Sequence, residues 1–268
     1  RSSIIKKYKI EDDFPAWMLT RWAERYGEDV LEKIKCLNDA PPLYYINLNT
    51  LTRGELDEMP EKPDKGIYFM DRASSVVPTI AGNVKPEKVL DCCAAPGGKT
   101  AVLASTYQPA QVFAVENSRE RFQGLKKTVE KYHLNNVRPV KKDIMLFEGE
   151  GMFDLVLLDA PCTALGTIRK HPEAKWLRTE KQIKEKAEVQ KNMAERVATY
   201  LKPGGKLIYS VCSLEPEESV QVAEFIAANT PLKLVKPECD EEFIKGDYFV
   251  AEPCENNTDG FFAAVFTL

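Results

Sequence analysis

Two cysteines stand where a nucleophile has to stand. Cys162 ends the run Asp159-Ala-Pro-Cys162, and Cys212 lies within Ser210-Val-Cys212-Ser213. Each follows an apolar stretch, 153–158 or 206–210, that reads as a buried strand, and each adjoins a turn. A thiol so placed becomes a nucleophile if its pKa falls below the free value of about 8.5. Taken singly, either could equally be a small buried apolar residue. The other cysteines, Cys36, Cys92, Cys93, Cys239 and Cys254, lack this setting and read as structural thiols. Seven is an odd number for a disulfide framework, and no pair of CxxC motifs is present. Free thiols in a reduced, cytoplasmic protein without a metal centre are therefore expected.

A third stretch offers a ligand cradle. Val89-Leu90-Asp91 reads as a strand end, and Cys93-Ala94-Ala95-Pro96-Gly97-Gly98 as a turn. Lys99-Thr100 opens an Ala/Leu-rich helix. Glycines let backbone N–H groups approach a ligand, and a helix start favours negative charge. The Gly-x4-Gly-Lys spacing of a triphosphate-binding loop is missing.

The elements that must carry these residues follow from the pattern. Strands are predicted at 88–92, 111–115, 137–140, 153–158 and 206–210, with helices at 99–106, 118–133, 179–201 and 215–228. Leu232–Val235 and Phe261–Phe266 add two late strands. This alternation implies an α/β fold with a doubly wound, mostly parallel, seven-stranded sheet. In such sheets ligands bind outside the carboxyl ends of the strands. Asp91, Glu116, Asp143, Asp159, Cys162 and Cys212 all fall on that rim. Helix capping explains any one of these acids, but not the whole set. An acid at the end of the second strand, here Glu116, is the usual ligand of a ribose diol. Asp143 is placed to accept from an adenine amino group. Adenosine without a pyrophosphate points to S-adenosylmethionine.

Residues 1–65 read as a small α+β appendage, and 66–268 as the main domain. The first ten residues carry Arg1, Lys6, Lys7 and Lys9 and no acid, as a linker or arm would. A helix is expected from Pro15 through Tyr26, then a second with Val30, Leu31, Ile34 and Leu37 on one face. A strand is expected at Leu43–Leu48 and a short helix at Leu51–Met59. Pro60, Pro63 and Gly66 mark the boundary. A start at Arg1 rather than Met is expected of a processed or excised fragment.

The 268 residues, 44% hydrophobic, suffice for one large core and the appendage. No apolar run approaches the roughly 20 residues of a membrane span. The net charge of -4 argues against a uniformly basic nucleic-acid binder. The charge is uneven, however. Arg121 to Lys142 holds seven Lys/Arg and one Glu, and Arg169 to Lys191 holds eight against four. Ser213 to Gly260 holds twelve acids against three lysines. The basic runs are either solvated helix faces or a local basic strip on an acidic body.

Four motifs together carry a resemblance: Asp91-Cys-Cys-Ala-Ala-Pro-Gly-Gly-Lys-Thr100, Asp159-Ala-Pro-Cys162, Ser210-Val-Cys212-Ser213 and Asp259-Gly-Phe-Phe262. From Pro15 to its end the chain resembles the Fmu/Sun/Nop2 (RsmB/NOP) family of RNA cytosine-5 methyltransferases. Ile168-Arg-Lys-His-Pro172 with Trp176 is closest to its bacterial 16S ribosomal RNA branch. Three departures are visible: Met70-Asp71 where the family commonly has Gln-Asp, Val211 where Thr is frequent, and Glu116 where Asp is frequent. The helical RNA-binding domain that precedes this region in the bacterial branch lies outside the sequence.

The resemblance implies a Rossmann-like class I fold and S-adenosylmethionine as cofactor. It implies methyl transfer to C5 of a cytosine in RNA, ribosomal RNA first and transfer RNA as the alternative. Cys212 would attack C6, Cys162 would aid release, and Asp159 and Lys99 would hold the base. Cys93, Ala94, Ala95, Pro96, Gly97, Gly98, Lys99, Glu116, Arg121, Asp143 and Asp159 would surround the cofactor. The target base must leave its stack, so a single-stranded or melted site is expected. The appendage and the basic runs would contact RNA, with Arg169 and Lys170 on the loop after Cys162. His171 reads as a loop residue packed by Pro172 and Trp176. A monomer without membrane attachment is expected. Two competing readings are a DNA enzyme with Cys162 as nucleophile and a catalytically silent RNA-binding module of ribosome assembly.

Overall fold

The structure, a computed structural model, describes residues 13–268; the basic arm read at 1–10 lies outside them. Helix α1 (Ala16–Tyr26) ends at Gly27, whose φ of +61° suits glycine. Helix α2 (Val30–Ile34) follows. Met18, Trp22, Ile34 and Leu37 bury one apolar stripe against Leu165, Ile168 and Ile183, so the appendage packs on the loop after Cys162. Strands β1 (Leu43–Asn47), β2 (Arg53–Leu56) and β3 (Ile67–Phe69) form an antiparallel sheet in the order β2-β1-β3. Its third strand lies past the expected boundary at 65.

The short helix expected at Leu51–Met59 is instead β2. Asn47 makes the difference: its side chain accepts from Asn49 N at 2.9 Å, its carbonyl accepts from Leu51 N, and its own N–H donates to Thr52 O. That closes a hairpin before a helix can start. A second expectation also fails. Cys36 and Cys254, read as free thiols, form a disulfide. The appendage packs beside Pro253–Asn256 and brings the two Cα atoms to 5.4 Å across 218 residues of chain. No local spacing carries that information. The remaining five cysteines are free.

The main domain opens with α3 (Arg72–Val76), capped by the Asp71 side chain. Then come β4 (Lys88–Asp91), α4 (Gly98–Thr106), β5 (Gln111–Val115), α5 (Arg119–Lys131), β6 (Val137–Val140) and β7 (Phe153–Asp159). After these come α6 (Ala174–Leu177), α7 (Glu180–Ala198), β8 (Leu201–Val211), α8 (Val220–Asn229) and β9 (Lys233–Val235). The chain closes with β10 (Ile244–Lys245), β11 (Tyr248–Ala251), α9 (Pro253–Asn256) and β12 (Phe261–Thr267). The sheet runs β10-β11-β12-β8-β7-β4-β5-β6, with β9 also paired to β12. It has nine strands rather than seven, because the β10–β11 hairpin extends its antiparallel edge.

Strands β8, β7, β4, β5 and β6 are parallel. Alternating residues feed two cores. Leu90, Val156, Leu158 and Tyr209 face α7 and α8, whereas Val89, Leu155, Leu157 and Ile208 face α4 and the α3 segment. Each such side chain contributes about 1.5–3 kcal/mol by leaving water. The double burial explains why these strands read as continuous apolar runs. It also fixes all five carboxyl ends on one rim. No described helix is long and apolar enough to cross a membrane.

Candidate active site

The glycine turn after β4 is held from outside. Arg121 Nη2 donates to Ala95 O at 2.8 Å and Thr128 Oγ1 to Pro96 O at 2.7 Å, so α5 pins the loop's carbonyls. Ala94 N is spent on Val115 O. Gly97 has φ +109°, and a Cβ there would lie 2.9 Å from Thr128; one on Gly98 would lie 3.1 Å from the Tyr68 ring. The first N–H groups of α4 have no acceptor within the helix. Asp91 Oδ2 accepts from Thr100 Oγ1 at 2.7 Å, while Asp91 Oδ1 is buried without a hydrogen-bond partner. Burial pushes the Asp91 carboxyl up to about 7, with Asp159 adding to the shift and Thr100 opposing it.

Lys99, in the first turn of α4, reaches Asp159 Oδ2 at 2.8 Å and lies 4.9 Å from the centre of the Phe261 ring. Burial disfavours its charge, but Asp159 outweighs that and holds its pKa above the ordinary value. Asp159 Oδ1 accepts from Ser210 Oγ at 2.8 Å, which joins the ends of β7 and β8. Beside this pair the two sulfurs meet: Cys162 Sγ and Cys212 Sγ are 3.1 Å apart. Cys212 lines the cleft, and Cys162 stands behind it. Burial and the carboxylates of Asp159, Asp91 and Glu116 push the Cys93 thiol up, which disqualifies it as a thiolate.

The cleft measures about 530 Å³ and is lined by Asp91, Cys93 to Pro96, Gly98, Lys99, Asp159 and Cys212 on the sheet side. Glu116, Arg121 and Asp143 lie beyond that lining, near the ends of β5 and β6. Glu116 Oε1 accepts from Ser118 N at 2.7 Å; its Oε2 is buried without a hydrogen bond, 3.5 Å from Arg121 Nη2. Arg121 is therefore committed to the loop and to Glu116. Asp143 accepts from Met145 N with one oxygen and from Asn117 Nδ2 with the other, so its carboxylate is already engaged.

The other wall was read in the sequence only as separate pieces, with Lys170 expected to contact RNA rather than to pair with Asp71 and Asp259. Asp71, Lys170 and Asp259 line it, with Tyr44, Tyr68 and Phe261. Lys170 Nζ lies 2.7 Å from Asp259 Oδ2 and 3.4 Å from Asp71 Oδ2. Asp71 also accepts from Ala73 N, Ser74 N, Thr258 Oγ1 and Asp259 N. Burial, then the charge of Asp71, pushes the Asp259 carboxyl up to about 6. Gly260 N donates to Gly166 O at 2.7 Å, and Gly166 N to Cys212 O at 3.0 Å. A Cβ on Gly166 would sit 2.1 Å from Gly260 O, so this approach requires glycine. Met70-Asp71 and Asp259-Gly were the available signals, but nothing in the sequence joined them. His171 is not packed as expected: it is exposed, 3.4 Å from Glu173, and borders the cleft.

Comparison with known proteins identifies the family and supports the fold. Residues 79–267 match the family described as 16S rRNA methyltransferase RsmB/F. Ribosomal RNA small subunit methyltransferase B of Klebsiella pneumoniae is 32% identical over 82% of this chain and 59% of the relative. The protein of the same name from Photorhabdus laumondii is 30% identical over 94% and 66%. The chain thus spans about two thirds or less of the length of these relatives. Among solved structures, PH0851 superposes with a TM-score of 0.86 at 27% identity, over 94% of this chain and 66% of that one. NSun6 from Pyrococcus horikoshii, solved with SFG, gives 0.69 at 26%, over 81% and 60%. By sequence match and by fold, the chain belongs to the RsmB/F family of 16S rRNA methyltransferases.

Proposed function

We propose that this protein transfers a methyl group from S-adenosylmethionine to C5 of a cytosine in ribosomal RNA, with Cys212 as the nucleophile. The observation that carries the reading is the contact of the two sulfurs, 3.1 Å apart, beside the Lys99–Asp159 pair on the cleft. The cofactor fits the residues present. Glu116 Oε2 and Asp91 Oδ1 are buried acceptors without hydrogen-bond partners among the described residues, and at Gly97, with φ +109°, a Cβ would lie 2.9 Å from Thr128. Glu116 would take the ribose hydroxyls, and the Cys93–Lys99 turn and Asp91 would take the rest. Asp143 and Arg121 would border the adenosine.

Cytosine C5 is a poor nucleophile. Addition of the Cys212 thiolate at C6 puts negative charge on the N3–O2 edge and makes C5 electron-rich. Asp159 accepts from the exocyclic amino group beside N3 and so orients the base, and the Lys99 ammonium beside it offsets the developing negative charge. Bound S-adenosylmethionine supplies an electrophilic methyl group to the activated C5. The C5 hydrogen then passes as a proton to solvent in the open cleft, its bonding pair re-forms the C5–C6 double bond, and the Cys212 thiolate is expelled. Cys162, touching that sulfur, serves the release step.

RNA reaches the cleft over a basic surface. Beyond Tyr68 and Phe69 the cleft adjoins a groove lined by Lys127, Thr128, Lys131 and Tyr132, which continues past Lys65 and His133. Lys65 and Lys127 form no ion pair among the described residues, leaving their charge for phosphates. All cleft residues come from one chain, so a monomer suffices, and a ribosomal RNA substrate puts the enzyme in the cytoplasm.

The test is tritiated methyl transfer to unmodified ribosomal RNA, followed by bisulfite mapping. Labelled 5-methylcytosine in the wild type and none in Cys212→Ala, with S-adenosylmethionine binding retained, supports the proposal. Normal turnover by Cys212→Ala refutes the role of Cys212, and label on transfer RNA alone reassigns the substrate.

A further inference from the structure

Behind the two sulfurs lies a carboxylate that the mechanism above does not use. Glu218 is fully buried. Its Oε1 accepts from Thr163 N at 2.8 Å and from Gln190 Nε2 at 3.1 Å. Its Oε2 accepts from Ser213 Oγ at 2.7 Å and from Thr163 Oγ1. Thr163 directly follows Cys162, and Ser213 directly follows Cys212. Gln190 also donates to Pro161 O at 3.0 Å, on the other side of Cys162. One side chain therefore clasps both cysteine loops.

All four donors are neutral, and Glu218 forms no ion pair among the described residues. Two of these donors, Thr163 N and Gln190 Nε2, are N–H groups that can only donate, and the two hydroxyls can donate as well. The hydrogen bonds thus favour the ionised form, although burial raises the pKa of the group. The ionisable groups facing the sulfurs are unlike on the two sides. Lys99, with Asp159, faces Cys212 from the cleft; Glu218 and the Tyr209 hydroxyl face Cys162 from behind. The contact with Cys212, burial and then the charges of Cys212 and Glu218 all push the Cys162 thiol upward.

We propose that Glu218 is a positioning residue that locks the Cys162 loop against the Cys212 loop and, by its charge, keeps the proton of the sulfur pair on Cys162. When the pair loses one proton to solvent, the charge then rests on Cys212, and Cys162 remains an S–H donor to it. The proposal rests on Cys212 being the nucleophile. It explains how two equivalent side chains 3.1 Å apart acquire different roles.

The experiment is alkylation of the full chain with iodoacetamide across a pH series, with labelling of each cysteine resolved by mass spectrometry and no RNA or methyl donor present. The pH midpoint rather than the rate is the readout, because Glu218→Gln leaves the burial of Cys162 in place and removes only the charge, so a shift in the midpoint reports that charge. In the wild type, Cys212 labels at lower pH than Cys162. In Glu218→Gln the Cys162 midpoint falls by about one unit, the scale on which a neighbouring charge acts, and Glu218→Asp restores part of the shift. An unchanged Cys162 midpoint in Glu218→Gln with an unaltered melting temperature overturns the proposal, as does a wild type in which Cys162 labels first. If Glu218→Gln does not fold, Glu218→Asp decides: drawing the carboxylate back by one methylene must lower the Cys162 midpoint, and an unchanged midpoint refutes the idea. Failure of the RNA reading would appear as missing methyl transfer with these midpoints intact.

Discussion

The two walls of the cleft use the same residue types and differ in what those residues have left to give. On the sheet side, Lys99 meets one carboxylate, Asp159, and the Cys212 sulfur lies beside it. Among the described residues Asp159 is bound only by two side chains, and its side chain keeps 27% of its exposure. On the other side, Lys170 meets two carboxylates, each about 4% exposed. Asp71 spends its oxygens on three backbone N–H groups, Thr258 and Lys170. A lysine–carboxylate pair that still faces the cleft can act on a ligand; one saturated by its own chain is a latch. Here the latch ties the α3 cap, the loop after Cys162 and the start of β12 into one wall.

The comparison makes its largest demand at the sulfur. Cys212→Ala should lower methyl transfer by at least ~10⁴-fold, the scale seen when a covalent nucleophile is removed, read in the tritium assay. Asp159→Asn should come next, costing ~10²–10³-fold in turnover as the carboxylate that orients the base and anchors Lys99 is lost, with S-adenosylmethionine affinity within a few-fold by calorimetry. If Lys170→Met slows turnover as much as Lys99→Met does, the distinction between the walls is wrong.

Asp71→Ala should affect folding rather than chemistry. It removes a helix cap and strands buried donors, costing about 3 kcal/mol of stability in urea unfolding. The partner carboxylate gives the comparison a pH axis. The folded pKa of Asp259 is raised to about 6, so the native state holds a proton that the unfolded chain has already lost. The wild type is then favoured at low pH and loses that advantage as pH rises from about 4 to 6. Measured against Asp259→Asn, its stability should drop by about 3 kcal/mol across that window, from 1.36 kcal/mol per unit, and stay level above it. The smallest effect belongs to the approach surface. Lys127→Glu with Lys131→Glu should weaken RNA affinity several-fold and flatten its salt dependence, with no change on a short oligonucleotide.

Legibility varied with the range of the forces involved. The rim was readable because parallel strands announce themselves as apolar runs, and the residue after each run lies at a carboxyl end whatever the details. Asp91, Asp159, Cys162 and Cys212 were found that way. The hairpin at Arg53–Leu56 was missed because one Asn side chain outweighed the helical propensity of the segment that follows it. The Cys36–Cys254 bond and the Asp71–Lys170–Asp259 latch join residues from 89 to 218 positions apart.

By itself, then, the sequence determined which strands are buried on both faces, where the glycine turn must fall, and which side chains end on the common rim, because hydrophobic period and backbone sterics act within a few residues. Tertiary structure alone decided that the sulfurs touch, that Glu218 lies behind one of them and Lys99 before the other, and that a second wall closes the cleft. Those outcomes depend on charges and donors meeting across the fold at about 3 Å, a distance no local pattern encodes.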